Sequence, residues 1–273
     1  MYQNVIAMDF MSQRPHILVT NDDGIYAPGI KHLWRALKDI ADLTIVAPTI
    51  EQSAVGLSLT IRAPLRVNKV RWSEGLEVWS VNGTPADCVK LGLSVIVEKP
   101  IDLVVSGVNC GTNAGRNIFY SGTVGATIEA VMQGIPGIAF SCYDFEEPDY
   151  EGAKEPITKV VEYIFENPLS EGTLLNVNFP SKKSHPKIKG FKLTRQGKER
   201  WIENPDKRFH PMGGSAYYWL GAKLHRIDEE EDCDISWLNQ GYMTAVPVYV
   251  GELTHHGHLD FHRKSFELHL NSK

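Results

Sequence analysis

Short apolar runs at residues 17–20, 43–47, 76–81, 101–105, 135–141 and 174–179 recur through the chain, and helical periodicity fills most of the gaps. Ile30, Leu33, Trp34, Leu37 and Ile40 make one amphipathic stripe over residues 28–40. Val89, Leu93, Ile96 and Val97 mark a second helix, Val124, Ile128, Val131 and Met132 a third, and Ile157, Val160, Val161 and Ile164 a fourth over residues 154–165. Strand, helix and strand at this spacing form a crossover unit, the connection that parallel neighbours require. The chain is therefore expected to be α/β, with a mostly parallel sheet flanked by helices. Residues 57–70 alternate and are expected to be extended, with Pro64 marking an edge. In an open sheet of this kind, ligands bind outside the carboxyl ends of the strands, so the residues just past each run carry the functional argument.

Asp22 and Asp23 follow the first run directly, ahead of Gly24. Adjacent carboxylates repel, and they are costly to desolvate unless a cation or a proton sits between them. A hard divalent ion suits them, since Mg²⁺ is commonly held by one or two carboxylates together with phosphate oxygens and water. Asp-Asp-Gly is also ordinary turn chemistry, and the stretch by itself leaves both readings open. Glu51, Gln52 and Ser53 come just beyond the second strand, on the same rim, where a serine is usually a turn or capping residue.

Past the fourth run, residues 106–123 hold four glycines and three asparagines. A stretch of this length without a pattern of its own is usually functional or disordered, and its strongly patterned neighbours favour function. Glycines let backbone N–H groups approach an anion, and a helix starting near Thr123 would aim its positive end into the stretch. Ser121, Gly122 and Thr123 read as a phosphate cradle. It is not a P-loop, because the Lys-Ser/Thr ending is missing. The first strand–helix turn also lacks G-x-G-x-x-G, which argues against a dinucleotide-dependent oxidoreductase. Asn109 is placed to face Asp22 and Asp23 across the rim, although an isolated asparagine is more often a plain turn residue.

Charge narrows the partners. With 28 basic and 33 acidic residues the net charge is −5 and no basic stripe appears, so a nucleic-acid polymer is not the expected ligand. No apolar run approaches membrane-spanning length, and no membrane association is expected. Residues 1–14 lack the basic and apolar regions of a signal peptide and read as a flexible N-terminal extension. Cys88, Cys110, Cys142 and Cys233 are widely spaced, without metal-ligand spacing, which fits a reducing, cytoplasmic compartment. Residues 15–180 are expected to form the catalytic core. Composition changes after Pro180, and residues 181–273 read as a smaller, β-rich subregion of hairpins. Within it the acidic run at 228–234 reads as a solvated loop, and the histidines of 254–262 as exposed residues or a subunit contact rather than a metal site.

Several of these segments, taken in order, resemble the SurE family of survival-protein 5′-nucleotidases. They are Ile17-Leu-Val-Thr-Asn-Asp-Asp-Gly24, Ala47-Pro48 followed by Gln52-Ser53, Asn82-Gly-Thr-Pro-Ala-Asp-Cys-Val89, Asp102-Leu-Val-Val-Ser-Gly-Val-Asn109 and Tyr120-Ser-Gly-Thr-Val-Gly125, with weaker echoes at 176–180, 217–219 and 241–247. The resemblance implies a Rossmann-like core, a C-terminal part that exchanges elements between subunits, and a homodimer or homotetramer. It implies a metal-dependent phosphatase acting on nucleoside monophosphates, with one Mg²⁺ or Mn²⁺ per subunit on Asp22, Asp23, Ser53 and Asn109. It also implies that the loop from Asn113 to Thr123 holds the phosphate. Asp22 or Asp23 would orient or deprotonate the attacking water. Ala54 departs from the glycine the family usually carries after the serine, and residues 243–246 depart from its usual Val-Ser-Val-Thr. The alternative from another class is a non-catalytic module that senses nucleotide or phosphate.

Overall fold

The computed structural model describes residues 14–225 and 232–272. The N-terminal extension up to residue 13, and residues 228–231 of the acidic run, lie outside the described residues. The elements are, in order, β1 (His16–Thr20), α1 (Pro28–Leu37), β2 (Asp42–Pro48), β3 (Val67–Arg71), β4 (Glu77–Val81), α2 (Pro85–Leu91), β5 (Leu103–Cys110), α3 (Gly122–Met132), β6 (Gly137–Cys142), α4 (Tyr150–Glu166) and β7 (Thr173–Phe179). Beyond these come β8 (Phe191–Leu193), β9 (Arg200–Glu203), β10 (Asp206–Phe209), β11 (Ala216–Trp219), β12 (Ala222–His225), α5 (Asp234–Asn239), β13 (Met243–Tyr249) and α6 (His256–Asn271).

The main sheet has nine strands in the order β3-β4-β2-β1-β5-β6-β7-β13-β8. From β4 to β7 every pairing is parallel; β3 runs antiparallel to β4, and β13 antiparallel to β7. Alternation along the strands sorts the core into two layers. Ile17, Val19, Val105, Phe140 and Val177 pack toward α1 and α4, meeting Ile30, Leu33, Leu37, Ile157 and Val161. Leu18, Val46 and Val104 point the other way, onto Cys88 and Val89 of α2 and Ala126 and Ala130 of α3.

Several expected boundaries move for local reasons. The first helix ends at Leu37 rather than residue 40, where the Leu37 carbonyl accepts from both Ile40 N and Ala41 N in a closing turn. Of the expected extended stretch at 57–70 only its end is strand; residue 60 is held by Asp87, whose carboxylate accepts from Thr60 N at 3.1 Å. Thr84 caps α2 within Gly83-Thr-Pro-Ala-Asp87. Its hydroxyl accepts from Asp87 N at 3.1 Å while Asp87 Oδ2 accepts from Thr84 N at 2.9 Å. The α-helix ends at Leu91, and residues as far as Ile96 continue in a wider turn, with Gly92 pressed against Leu18. The fourth helix starts at Tyr150, one turn earlier than its apolar stripe suggests, because Asp149 caps it through Gly152 N.

The chain beyond residue 180 returns to the core: β13 pairs with β7 from Tyr249↔Thr173 to Thr244↔Asn178, and β8 lies outside it. The remaining strands form two antiparallel pairs, β10 with β11 and β9 with β12. Phe209, Tyr218, Trp219 and Leu220 are exposed there, and α6 buries none of its residues. No helix among the described residues is long and apolar enough to cross a membrane.

Candidate active site

Strand order decides where the site lies. From β1 the chain first builds outward through β2 and β4, then returns to the other side of β1 to place β5, β6 and β7. The reversal opens a crevice at the carboxyl ends of β1 and β5. Asp22 and Asp23 leave the end of β1, Glu51 to Ser53 follow β2, and Asn109 lies in the last turn-ward residues of β5.

Asn21 shapes the first corner, accepting from Gly24 N at 3.2 Å and donating to Gly24 O at 3.0 Å. Backbone bonds from Gln52 N to Asp22 O (2.7 Å) and from Ile25 N to Pro48 O (2.8 Å) stitch this corner to the loop after β2. Asn109 is a strand residue rather than part of a loop. β6 continues beside β5 to the pairs Asn109↔Ser141 and Cys110↔Cys142, after a register shift between Ser106 and Asn109. On this strand Cys110 N donates to Asp23 Oδ2 at 3.3 Å, so the carboxylates and Asn109 share one rim.

Asp22 is buried, at 6% exposure, and both its oxygens are engaged. Thr123 N donates to Oδ2 at 3.0 Å and Thr123 Oγ1 to Oδ1 at 2.5 Å, which sets the carboxylate at the positive end of α3. Only a glycine permits this approach, since a Cβ on Gly122 would lie 2.9 Å from the Asp22 Cβ. Ser121 caps the helix, its hydroxyl accepting from Val124 N at 3.1 Å. Burial raises the Asp22 pKa, opposed by the two bonds from Thr123 and assisted by the charge of Glu51. Asp23 is pushed up to about 7, by burial first and the neighbouring Asp22 second, against the bond from Cys110 N–H.

The other expected residues divide. Asn109 Nδ2 donates to Gly111 O at 2.7 Å, leaving its amide oxygen as the donor atom for a cation. Ser53 is on the rim but exposed, and its hydroxyl donates to Glu51. Asn113 is buried in a polar network: Asn113 N donates to Asn178 Oδ1 at 2.8 Å, its amide to Ser141 Oγ at 2.7 Å, and Asn176 Nδ2 donates to Asn113 O at 3.0 Å. Asp234 continues this support, accepting from Gly115 N at 2.9 Å and Gly197 N at 2.8 Å. Sequence reasoning gave Asn176 and Asn178 no role of their own, and it read Asp234 as part of a solvated acidic loop, whereas Asp234 is fully buried at the start of α5. The asparagines carried a readable signal, two amides at i and i+2 on an otherwise apolar strand, and both are fully buried on one face of β7. A cleft of about 950 Å³ opens beside Asn109 to Thr112 and is bounded by residues 143–147, Lys182 and Lys183.

Among the described residues, no three His, Cys, Asp or Glu side chains are grouped to hold a metal. The oxygen donors here are instead a carboxylate pair with an amide and a hydroxyl, a hard set of the kind Mg²⁺ takes alongside substrate phosphate and water. Unneutralised, both carboxylates are pushed upward by burial, Asp23 to about 7. The residues present therefore fit a divalent cation.

Ala54 has φ +57°, a left-handed conformation unfavourable to any residue with a Cβ. Ala54→Gly is expected to stabilise the protein by about 0.5–1 kcal/mol, the relief of strain exceeding the added freedom of the unfolded chain. Urea denaturation of the two proteins would show it as a higher midpoint at unchanged slope.

A family model described as "Survival protein SurE" matches residues 17–203. A relative named 5′-nucleotidase SurE from Protochlamydia amoebophila (strain UWE25) is 57% identical over 262 residues, covering 96% of this chain and 100% of the relative. One of the same name from Flavobacterium psychrophilum is 43% identical over 246 residues, covering 89% of this chain and 95% of the relative. The crystal structure of the SurE protein from Aquifex aeolicus superposes with a TM-score of 0.78 at 38% identity, covering 93% of this chain and 100% of that one.

Proposed function

The chain belongs to the SurE family, and from that premise we propose that it is a 5′-nucleotidase, hydrolysing nucleoside 5′-monophosphates to nucleoside and phosphate with a divalent metal ion. The observation that carries the metal-dependent reading is the carboxylate pair at the crevice, Asp22 buried and Asp23 half-buried, whose raised pKa values mark a demand for positive charge. We assign Asp22, Asp23, Ser53 and Asn109 to one Mg²⁺ or Mn²⁺ per subunit. Bound there, the ion supplies a Lewis acid for a phosphoryl oxygen and lowers the pKa of a water.

The protein's own groups do the rest. Asp22 is held rigid by Thr123 and fixes the geometry of the pair. Asp23, bonded through Oδ2 to Cys110 N, presents its other oxygen to orient the attacking water. Ser121 uses its oxygen to accept from Val124 N, so its hydroxyl proton is left to donate to the phosphoryl group. Ser121 and Gly122 face the equatorial oxygens at the start of α3, where the helix favours negative charge, while the donors of Thr123 serve Asp22. Asn113, at the start of the loop that leads to this cradle, is fixed by Ser141 and Asn178.

We assign assembly, as a homodimer or homotetramer, to the part after residue 180, whose β10–β11 hairpin and α6 turn large apolar side chains outward. A cytoplasmic setting is supported by Cys88, Cys110 and Cys142, which carry thiols rather than disulfides.

The test is release of inorganic phosphate from nucleoside 5′- and 3′-monophosphates with Mg²⁺ or Mn²⁺. Turnover of the 5′ substrate is expected, abolished by EDTA and restored by excess metal. Release indifferent to the chelator would overturn the metal assignment. Binding of nucleotide without any release would favour a sensing module.

A further inference from the structure

The carboxylate rim accounts for the phosphate end of a nucleotide and leaves the large cleft beside it without a role. Its outer wall is an acidic segment, Asp144, Phe145, Glu146 and Glu147, in which the one aromatic ring is 71% exposed. An aromatic side chain left in water among carboxylates contributes nothing to the core. Its position is nevertheless fixed. Cys110 Sγ donates to Phe145 O at 2.7 Å, and a Cβ on Gly111 would stand 3.4 Å from Phe145 Cδ2, so the ring lies over the glycine that follows. Cys110 also donates its N–H to Asp23, so a single residue ties the carboxylate pair to Phe145.

The segment is clamped at both ends. Asp144 accepts from Ser181 Oγ at 2.6 Å and Lys182 N at 2.8 Å, and Asp149 from Lys182 Nζ at 2.9 Å. A platform held in advance loses little freedom when a flat partner stacks on it.

Resting on the nucleotidase reading above, we propose that Phe145 is the stacking platform for the nucleobase and sets the preference for nucleotides over phosphate esters without a base. The phosphoryl group sits at Asp22, Asp23 and Asn109, the ribose spans Cys110 and Gly111, and the base lies on the Phe145 ring. The direction follows from where the phosphate is held: with the phosphoryl group at the carboxylate rim, the base is the end that reaches Phe145, in a lining where Asp144, Glu146 and Glu147 outnumber Lys182 and Lys183 and the Lys182 ammonium is already held by Asp149 at 2.9 Å. Stacking on an aromatic ring tolerates any base, because every base has a π-face.

The experiment compares kcat/KM for a nucleoside 5′-monophosphate and for ribose 5-phosphate, which keeps sugar and phosphate but lacks the base, in the native protein, Phe145→Ala and Phe145→Trp. Phe145→Ala is expected to lower the nucleotide to ribose 5-phosphate ratio by about tenfold or more, through KM rather than kcat, and Phe145→Trp to restore it. An unchanged ratio, with both substrates falling together, would overturn the proposal and mark Phe145 as a structural part of the loop. Equal native activity on the two substrates would overturn it as well while leaving the phosphatase standing. No turnover of either by the native protein would reject the nucleotidase reading itself.

Discussion

Asp23→Asn is expected to lower kcat/KM for nucleoside 5′-monophosphates by about a thousandfold and, in chelator-treated protein, to raise thermal stability at pH 8. The two effects share one cause. Asp23 sits beside a buried carboxylate that Thr123 holds in place, and its own pKa is pushed from about 3.8 to about 7. Without a cation, folding must keep the pair in the low-dielectric crevice against its own repulsion. A carboxyl whose folded pKa is raised does not oppose folding below its unfolded value. It opposes it increasingly as pH rises from about 4 to about 7, and uniformly above that. The stability gained by Asp23→Asn should therefore be full above pH 7, shrink as pH falls, and vanish near pH 4. Excess Mg²⁺ should reverse the order of the two proteins, because a cation that binds only the folded state stabilises the one that binds it better. Melting curves of both proteins with EDTA and with Mg²⁺, across pH 4 to 8, read all of this. Asp23→Asn failing to stabilise the chelated protein, or leaving turnover intact, would remove the carboxylate pair as the centre of the site.

Gly107→Ala is expected to destabilise the protein by about 3–4 kcal/mol and to remove most of its activity. Gly107 takes φ +127° at the point where β5 shifts register against β6, and a Cβ there would lie 2.3 Å from the Phe140 carbonyl oxygen and 3.1 Å from Asn109 N. Neither atom can yield, because both belong to the backbone of central strands. Relief would have to come from displacing Asn109, which is why activity should fall with stability. Gly134→Ala is the control. It has φ +79° with nothing within 4 Å of a Cβ, so it should cost only the left-handed strain less the freedom removed from the unfolded chain, about 0.5–1 kcal/mol, and leave turnover unchanged. Equal effects of the two substitutions in urea denaturation would show that crowding at Gly107 is not what holds Asn109 in place.

Much of the scaffold was legible before any coordinates. The stripe of α1 and the apolar runs that form β1, β2 and β7 each follow from interactions within a few residues, where chain geometry leaves few alternatives. Asp22 and Asp23 were legible for the same reason, since two carboxylates adjacent in sequence cannot avoid each other in space. The pairing of Asp22 with Thr123, 101 residues further on, was not. Thr123 was read as a ligand for phosphate, whereas in the folded chain its N–H and hydroxyl first serve the carboxylate.

What the amino-acid order determined alone was a set of local facts: where the parallel strands and the four helices of the core lie, which faces those helices bury, and that negative charge and a glycine-rich stretch both sit at strand ends. Only the tertiary structure decided that β1 and β5 lie side by side, that β6 lengthens β5 far enough to make Asn109 a strand residue, and that Asn176, Asn178 and Asp234 support the loop from the distant end of the chain. The reason is physical. Periodicity is imposed by backbone geometry over one or two turns, but the partner of a buried polar group is chosen by whichever donor or acceptor the packed strands bring within reach, and no short window of sequence contains it.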